Sequence, residues 1–180
     1  VEPVLKTSVS VQSNADYSKV FAQLEAVQPN IVVMLIPAQI AGEFLKAYRE
    51  RGFGTPITTP SYGNPDTLCA VASDRNARGV SVAQIVPNIR NTTVPLVKRF
   101  HADFGKYAPK DLKPTVLHLE GYVTTQVVLA ALRRIDGKPT REKLAAALNA
   151  MQNVDLGGFR VDYGPNKRTG SRYVDVGVIS

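Results

Sequence analysis

HLEGYVTTQVVLAALRRIDGKPTREKLAAALNAM, residues 118–151, followed after one residue by NVDLGGFRVDYGPNKRTGSRYVDVGVIS, residues 153–180, is the stretch whose reading decides the fold. Its first part is apolar around most of a helical circumference: Val116, Leu117, Leu119, Val123, Val127, Val128, Leu129 and Leu132. A helix with so little polar face is normally buried, packed on a sheet rather than lying on a surface. Asp136 and Gly137 are expected to stop it, because glycine takes the left-handed conformation that ends helices. Pro139 precedes a shorter amphipathic helix with Leu144, Ala147 and Leu148 on one stripe. A turn at Gly157 and Gly158 then leads into two expected strands, 159–161 and 173–179, read as a returning hairpin. Buried helix, covering helix and hairpin form an α/β closing unit.

Working outward, the rest of the chain alternates strand and helix. Residues 4–11 have the period of two expected of a strand, with Val9 and Val11 against Ser8 and Ser10. Asn14 or Asp16 caps a helix striped by Val20, Phe21, Leu24 and Val27. The run 31–36 is continuously apolar, the pattern of a strand buried on both faces. After Pro37 a second helix carries Ile40, Phe44 and Tyr48, and Gly52 closes it. Residues 56–60 give another strand, 66–72 a helix and 79–86 a strand. Asn91 to Thr93 are expected to cap a helix over 94–107, striped by Leu96, Val97, Phe100 and Phe104. Strand, helix, strand, helix, strand is the crossover pattern of a doubly wound, mainly parallel α/β sheet.

Composition agrees with a globular chain. Of 180 residues, 44% are hydrophobic and 21% charged, enough to bury a real core. No apolar run approaches the ~20 residues that cross a bilayer, and the VEPVLKTSV start does not read as a signal peptide. The single Cys69 has no second cysteine to pair with and belongs to no redox or metal motif. The net charge of +7 is spread over many helix faces and ends. Without aromatic interleaving, zinc-finger spacing or a clear helix-turn-helix, it reads as a solvated basic surface and not a nucleic-acid interface.

EGY, the long apolar helix, GKPTREKLAAAL, DLGGFRVDY and GSRYVDVGVI, in that order, resemble the C-terminal part of the type I periplasmic substrate-binding proteins. These are the leucine/isoleucine/valine-binding-protein-like receptors that serve ABC importers. The resemblance implies a doubly wound, mainly parallel fold that is incomplete here and holds parts of two lobes. Residues 1–77 would be the later part of the second lobe, 78–151 the last piece of the first, and 152–180 the return to the second. Gln84 to Asn88 would lie near one crossing between lobes. The opening strands and helices of the first lobe, and the strand and helix that begin the second, have no counterpart, so the chain reads as a fragment.

No catalytic constellation is present. His101 and His118 fall in different helices without a ligand partner at helical spacing, and His101 reads as a surface residue. GxSxG, Walker A and HExxH motifs are absent. The glycines of DLGGFRVDYGPNKRTG precede no helix, and Asp155, Asp162 and Asp175 lack EF-hand spacing. The chain is therefore read as a binding protein and not an enzyme, with no cofactor and no metal.

Open α/β sheets bind ligands beyond the carboxyl ends of their strands. One such end gives Ala38 and Gln39, where helix-start amides and a carboxamide can hold a carboxylate. Another gives Ser61, Tyr62 and Asn64, a hydroxyl, a phenol and a carboxamide on a glycine turn. His118, Glu120 and Tyr122, before the long helix, are expected to face the same cleft. Each also has an ordinary structural use: Tyr62 and Tyr122 in packing, Gln39 in solvent. In amino-acid-binding relatives the turn matching 60–64 provides an acidic residue for the ligand's ammonium group. Here Pro60 or Ser61 stands there, which brings an aromatic or aliphatic carboxylate forward as a ligand beside an amino acid.

Three functional readings follow. The first is a periplasmic solute-binding protein that delivers a small molecule to the membrane permease of an ABC importer. The second is a ligand-sensing domain of a signalling or regulatory protein on the same fold. In the third, the exposed edges of an incomplete sheet make a homodimer.

Overall fold

The computed structural model describes residues 2–12 and 15–180. In chain order the described elements are α1 (Ser18–Val27), β1 (Val32–Val33), α2 (Ala38–Glu50), β2 (Ile57–Pro60), a 3-10 turn (Ser61–Gly63), α3 (Pro65–Ala72), α4 (Asp74–Ala77) and β3 (Ser81–Gln84). They continue with α5 (Pro95–Tyr107), α6 (Val116–Leu132), α7 (Arg141–Asn149), β4 (Val154–Asp155), β5 (Arg160–Val161) and β6 (Asp175–Val178). Two compact units result. The first comprises the chain up to Ala83 together with Val176–Ser180, and the second comprises Gln84–Asp175.

The first unit is a mostly parallel α/β sheet in the order β1-β2-β3-β6. Val32 and Val33 pair with Ile57 and Thr58, and Thr58, Thr59 and Pro60 pair with Ser81, Val82 and Ala83, all in parallel. β6 returns to the far edge, where the Ile179 amide donates to the Val80 carbonyl at 3.0 Å. The core gathers where the apolar stripes of α1 and α2 meet: Val20, Phe21 and Leu24 against Phe44, Leu45 and Tyr48, over Met34 and Ile57. Stacked rings extend it, with Tyr48 and Phe53 at 4.6 Å between centroids. Gly42 lets α2 and α3 approach closely, since a Cβ there would lie 2.6 Å from the Val71 Cβ.

Three expectations fail in this unit. Residues 4–11 form no strand; Leu5 and Val9 pack on the core while Val4 and Val11 stay exposed. A strand needs a neighbour's backbone to pair with, and this segment joins neither sheet among the described residues. The run 31–36 shortens to β1, buried on one face only, because Met34 faces the core while Ile31, Val33 and Leu35 stay open to solvent. Val27, expected on the buried stripe of α1, is exposed. The Asp16 carboxylate accepts from the Ser18 amide at 2.9 Å, which serves the start of α1; Asn14 lies outside the described residues.

The second unit packs helix on helix. α5 contributes Leu96, Val97 and Phe100, and α6 contributes Val116, Leu119, Val123, Val127 and Ala131. Met151, Leu156, Phe159 and Val161 close the cluster. α6 is thus buried along one stripe and not around its circumference: Leu117, Val128 and Leu129 are exposed. It also stops at Leu132, one turn before Asp136 and Gly137. On α7 only Ala147 is buried, with Leu144 and Leu148 partly so. The expected hairpin of 159–161 with 173–179 does not form. β5 pairs antiparallel with β4, and β6 joins the sheet of the first unit. Backbone amides decide this, since the Asp155 carboxylate turns the chain by accepting from Gly157 and Gly158 at 2.8 and 2.7 Å. α5 lacks the expected side-chain cap; Asn91 instead accepts from the Thr93 amide at 3.2 Å within its own turn.

Candidate functional site

Parallel register brings the two sequence-expected turns of the first unit to one end of its sheet. β1 runs beside β2 in the same direction, so the chain beyond Val33 and the chain beyond Pro60 leave at the same carboxyl edge. There Ala38 is half-buried and Gln39 exposed at the start of α2. Pro37 supplies no side-chain acceptor, so no side chain caps the first-turn amides of α2. The Gln39 carboxamide donates to Glu43 one turn on, at 3.1 Å. In the neighbouring turn Ser61 is buried and Tyr62 is exposed, so its phenol reaches outward. Asn64 is a helix cap: at φ 21° its side chain accepts from the Asp66 amide at 3.2 Å. Beneath them, Gly63 closes over Thr59, whose Oγ1 would lie 2.5 Å from a Cβ at that position. Thr59 was not singled out in the sequence; its alternation with Ile57 was the signal that it points inward.

His118, Glu120 and Tyr122 belong to the second unit and have different surroundings. His118 completes a capping box, its Nδ1 accepting from the Thr115 amide at 3.0 Å, with its ring against Phe104. Tyr122 donates to Asp103 at 2.7 Å and packs on Phe100, tying α6 to α5. Burial first, and then the bond to Asp103, raise its phenol above the ordinary value. Only Glu120 faces an opening. It lines a groove of about 740 Å³ with Val123, Val127, Phe159, Tyr163 and Arg168. One of its carboxylate oxygens is buried without a hydrogen-bond partner. The groove was not foreseen, because its walls come from α6, β5 and the 167–174 loop, which only the fold assembles. A second hollow, about 650 Å³, carries Arg99, Arg133 and Arg134 beside Asp155. His101, expected at the surface, is half-buried and engages the Ile89 carbonyl at 2.7 Å. No cluster of metal-ligating side chains occurs among the described residues.

An open, mostly parallel sheet thus sets these polar turns together at one carboxyl edge. The family is equally plain: the periplasmic binding protein model matches residues 1–180, and the chain belongs to that family, with the type I fold. Among solved structures, a substrate-binding periplasmic protein from Ralstonia solanacearum is 30% identical with a TM-score of 0.83, covering 92% of this chain and 47% of its own. An extracellular ligand-binding receptor from Verminephrobacter eiseniae is 29% identical with a TM-score of 0.79, over 88% and 44%. A branched chain amino acid ABC transporter protein from Thermus thermophilus, solved with bound valine, shares the fold at 20% identity and a TM-score of 0.73, over 91% and 46%. The chain thus spans about half the length of the structures it matches. No curated protein matches it.

Proposed function

We propose that this chain is part of a solute-binding protein that binds a small amino acid or a carboxylate-type ligand for an ABC importer. The shared carboxyl edge of β1 and β2 carries the reading, because it sets uncapped helix-start amides beside an exposed phenol. In this scheme the amides of Ala38 and Gln39 hold the ligand carboxylate, aided by the positive end of α2. Tyr62 covers the ligand's apolar body, and Ser61 and Asn64 border it. His118 and Tyr122 stay with their structural partners, and Glu120 stays with its groove. The turn 61–64 carries no acidic residue, which favours a ligand whose carboxylate, more than an ammonium group, is read here. The first unit, up to Ala83 with Val176–Ser180, would belong to one lobe of the complete protein, and Gln84–Asp175 to the other. Membership of the family supports a periplasmic location and delivery to a membrane permease.

Isothermal titration against amino acids and against aromatic and aliphatic carboxylates tests the reading. Saturable heat with one class, lost in Tyr62→Ala, is the expected result. Absence of heat with every ligand, from a protein completed to the length of its relatives, overturns it.

A further inference from the structure

Three guanidinium groups converge on one hollow of the second unit. Arg99 comes from α5, Arg133 and Arg134 from the end of α6, and Asp155 to Gly157 from the turn after β4; together they line a space of about 650 Å³. Local structure fixes two of the three heads. Arg99 spends one donor on the Leu156 carbonyl. Its guanidinium occupies the room that a side chain at residue 157 would need, since a Cβ there would lie 2.7 Å from Nη2 and 2.8 Å from Nη1. Gly157 has φ 99°, so the turn that calls for glycine also seats the arginine. Arg134 donates from Nη1 to the Ala130 carbonyl at 2.9 Å, one turn back. A guanidinium has five N–H donors, so one anchoring bond orients the head without exhausting it.

The dipole of α6 accounts for two cations at its carboxyl end, but not for a third held over the same space from α5. Nor do the charges cancel. Asp155 is the only acid among the lining residues, and the amides of Gly157 and Gly158 keep its carboxylate ionised. Three guanidinium charges against one carboxylate leave an excess of two. The ion pairs among the described residues, Arg51 with Glu25 and Lys167 with Asp162, use none of these groups. Guanidinium forks match the oxygens of an oxyanion. An excess of two is answered by a dianion, whereas a monocarboxylate would answer half of it.

We propose that this hollow is a ligand site of its own, taking a phosphate-type dianion: inorganic phosphate or the phosphoryl end of a monoester. Arg99, Arg133 and Arg134 share its oxygens, and Asp155 opposes it and so limits the affinity. The residues all belong to the second unit and the β1–β2 edge to the first, so the site stands or falls independently of what that edge binds.

Titration calorimetry on the full-length protein tests it, with inorganic phosphate and glycerol 3-phosphate as probes and chloride holding the ionic strength constant. Saturable binding is expected. Equal affinity for the two probes marks a free oxyanion as the ligand, and tighter binding of glycerol 3-phosphate marks a monoester. Arg133→Gln combined with Arg134→Gln, both at exposed positions, should weaken binding at least about tenfold, while Tyr62→Ala leaves it unchanged. Asp155→Asn keeps an acceptor oxygen for the turn and removes the opposing charge. It should tighten binding by up to about fivefold, which a purely structural role for the arginines would not produce. Absence of binding with both probes overturns the proposal. So does binding that survives the double arginine change, or that Asp155→Asn fails to tighten.

Discussion

The two units satisfy their apolar residues in different ways. In the first, helices cover one face of a sheet and leave Ile31, Val33 and Leu35 bare on the other. In the second there is scarcely a sheet: α5, α6 and α7 pack on each other, and the two-residue strands β4 and β5 close one side. Yet α6 has the composition of a helix set between layers. Its spare apolar residues, Val128 among them, therefore open onto a groove that Glu120 also lines, with one carboxylate oxygen buried and without a partner. The lesson is that a sequence pattern records the packing a segment is meant to have.

This comparison can be tested by breaking each core in turn. Leu45→Ala in the first unit and Leu119→Ala in the second remove side chains with no exposure. Each should cost ~2–5 kcal/mol in urea unfolding, and hydrogen exchange should show the loss confined to the unit that carries the change. Gly42→Val ranks next, at ~1–3 kcal/mol, because the added atoms meet Val71 and force α2 and α3 apart; unfolding midpoints measure it. Glu120→Leu should act in the opposite direction, raising stability by about 1 kcal/mol, since it relieves a buried oxygen without a partner. A loss of stability in Glu120→Leu would show that the groove is satisfied as it stands.

Tyr62→Ala should shift stability by about 1 kcal/mol or less, the residue being 43% exposed, while titration shows ligand binding gone. The smallest effect is on pH. The Gly157 and Gly158 amides hold the Asp155 carboxyl below its usual range, and the Lys167 ammonium does the same for Asp162. A lowered folded value gives stability that is present above the unfolded carboxylate value of about 3.9 and is lost as pH falls through the folded one. Acid titration of the 153–167 amides should show this loss, and Asp155→Asn should remove its share of the acid response. Tyr122, raised in the fold, has the reverse sign: its contribution is complete below the unfolded value near 10 and disappears as pH rises beyond it.

Local pattern alone determined much of this protein. The helices striped by Ile40, Phe44 and Tyr48 and by Leu96, Val97 and Phe100, the strands expected at 56–60 and 79–86, which form at 57–60 and 81–84, and the mostly parallel α/β class were all legible, because periodicity and turn residues act over a few neighbours. So was the family, through the order of short motifs in 118–180. The polar turns at Ala38 and Gln39 and at Ser61 to Asn64 were legible as strand ends, and the parallel register sets those ends together.

What only the tertiary structure decided is where each pattern found a partner. Residues 4–11 look like a strand but make no ladder, and 31–36 looks doubly buried but is covered on one side. His118 looks like a cleft residue but spends its ring nitrogen on the Thr115 amide. The segment 173–179 looks like a hairpin arm but crosses to β3. In each case the side chain or strand carries a preference that the sequence fixes locally, whereas its satisfaction depends on backbone and surface brought from far along the chain. Burial and pairing are properties of two surfaces, and a sequence read one segment at a time shows only one of them.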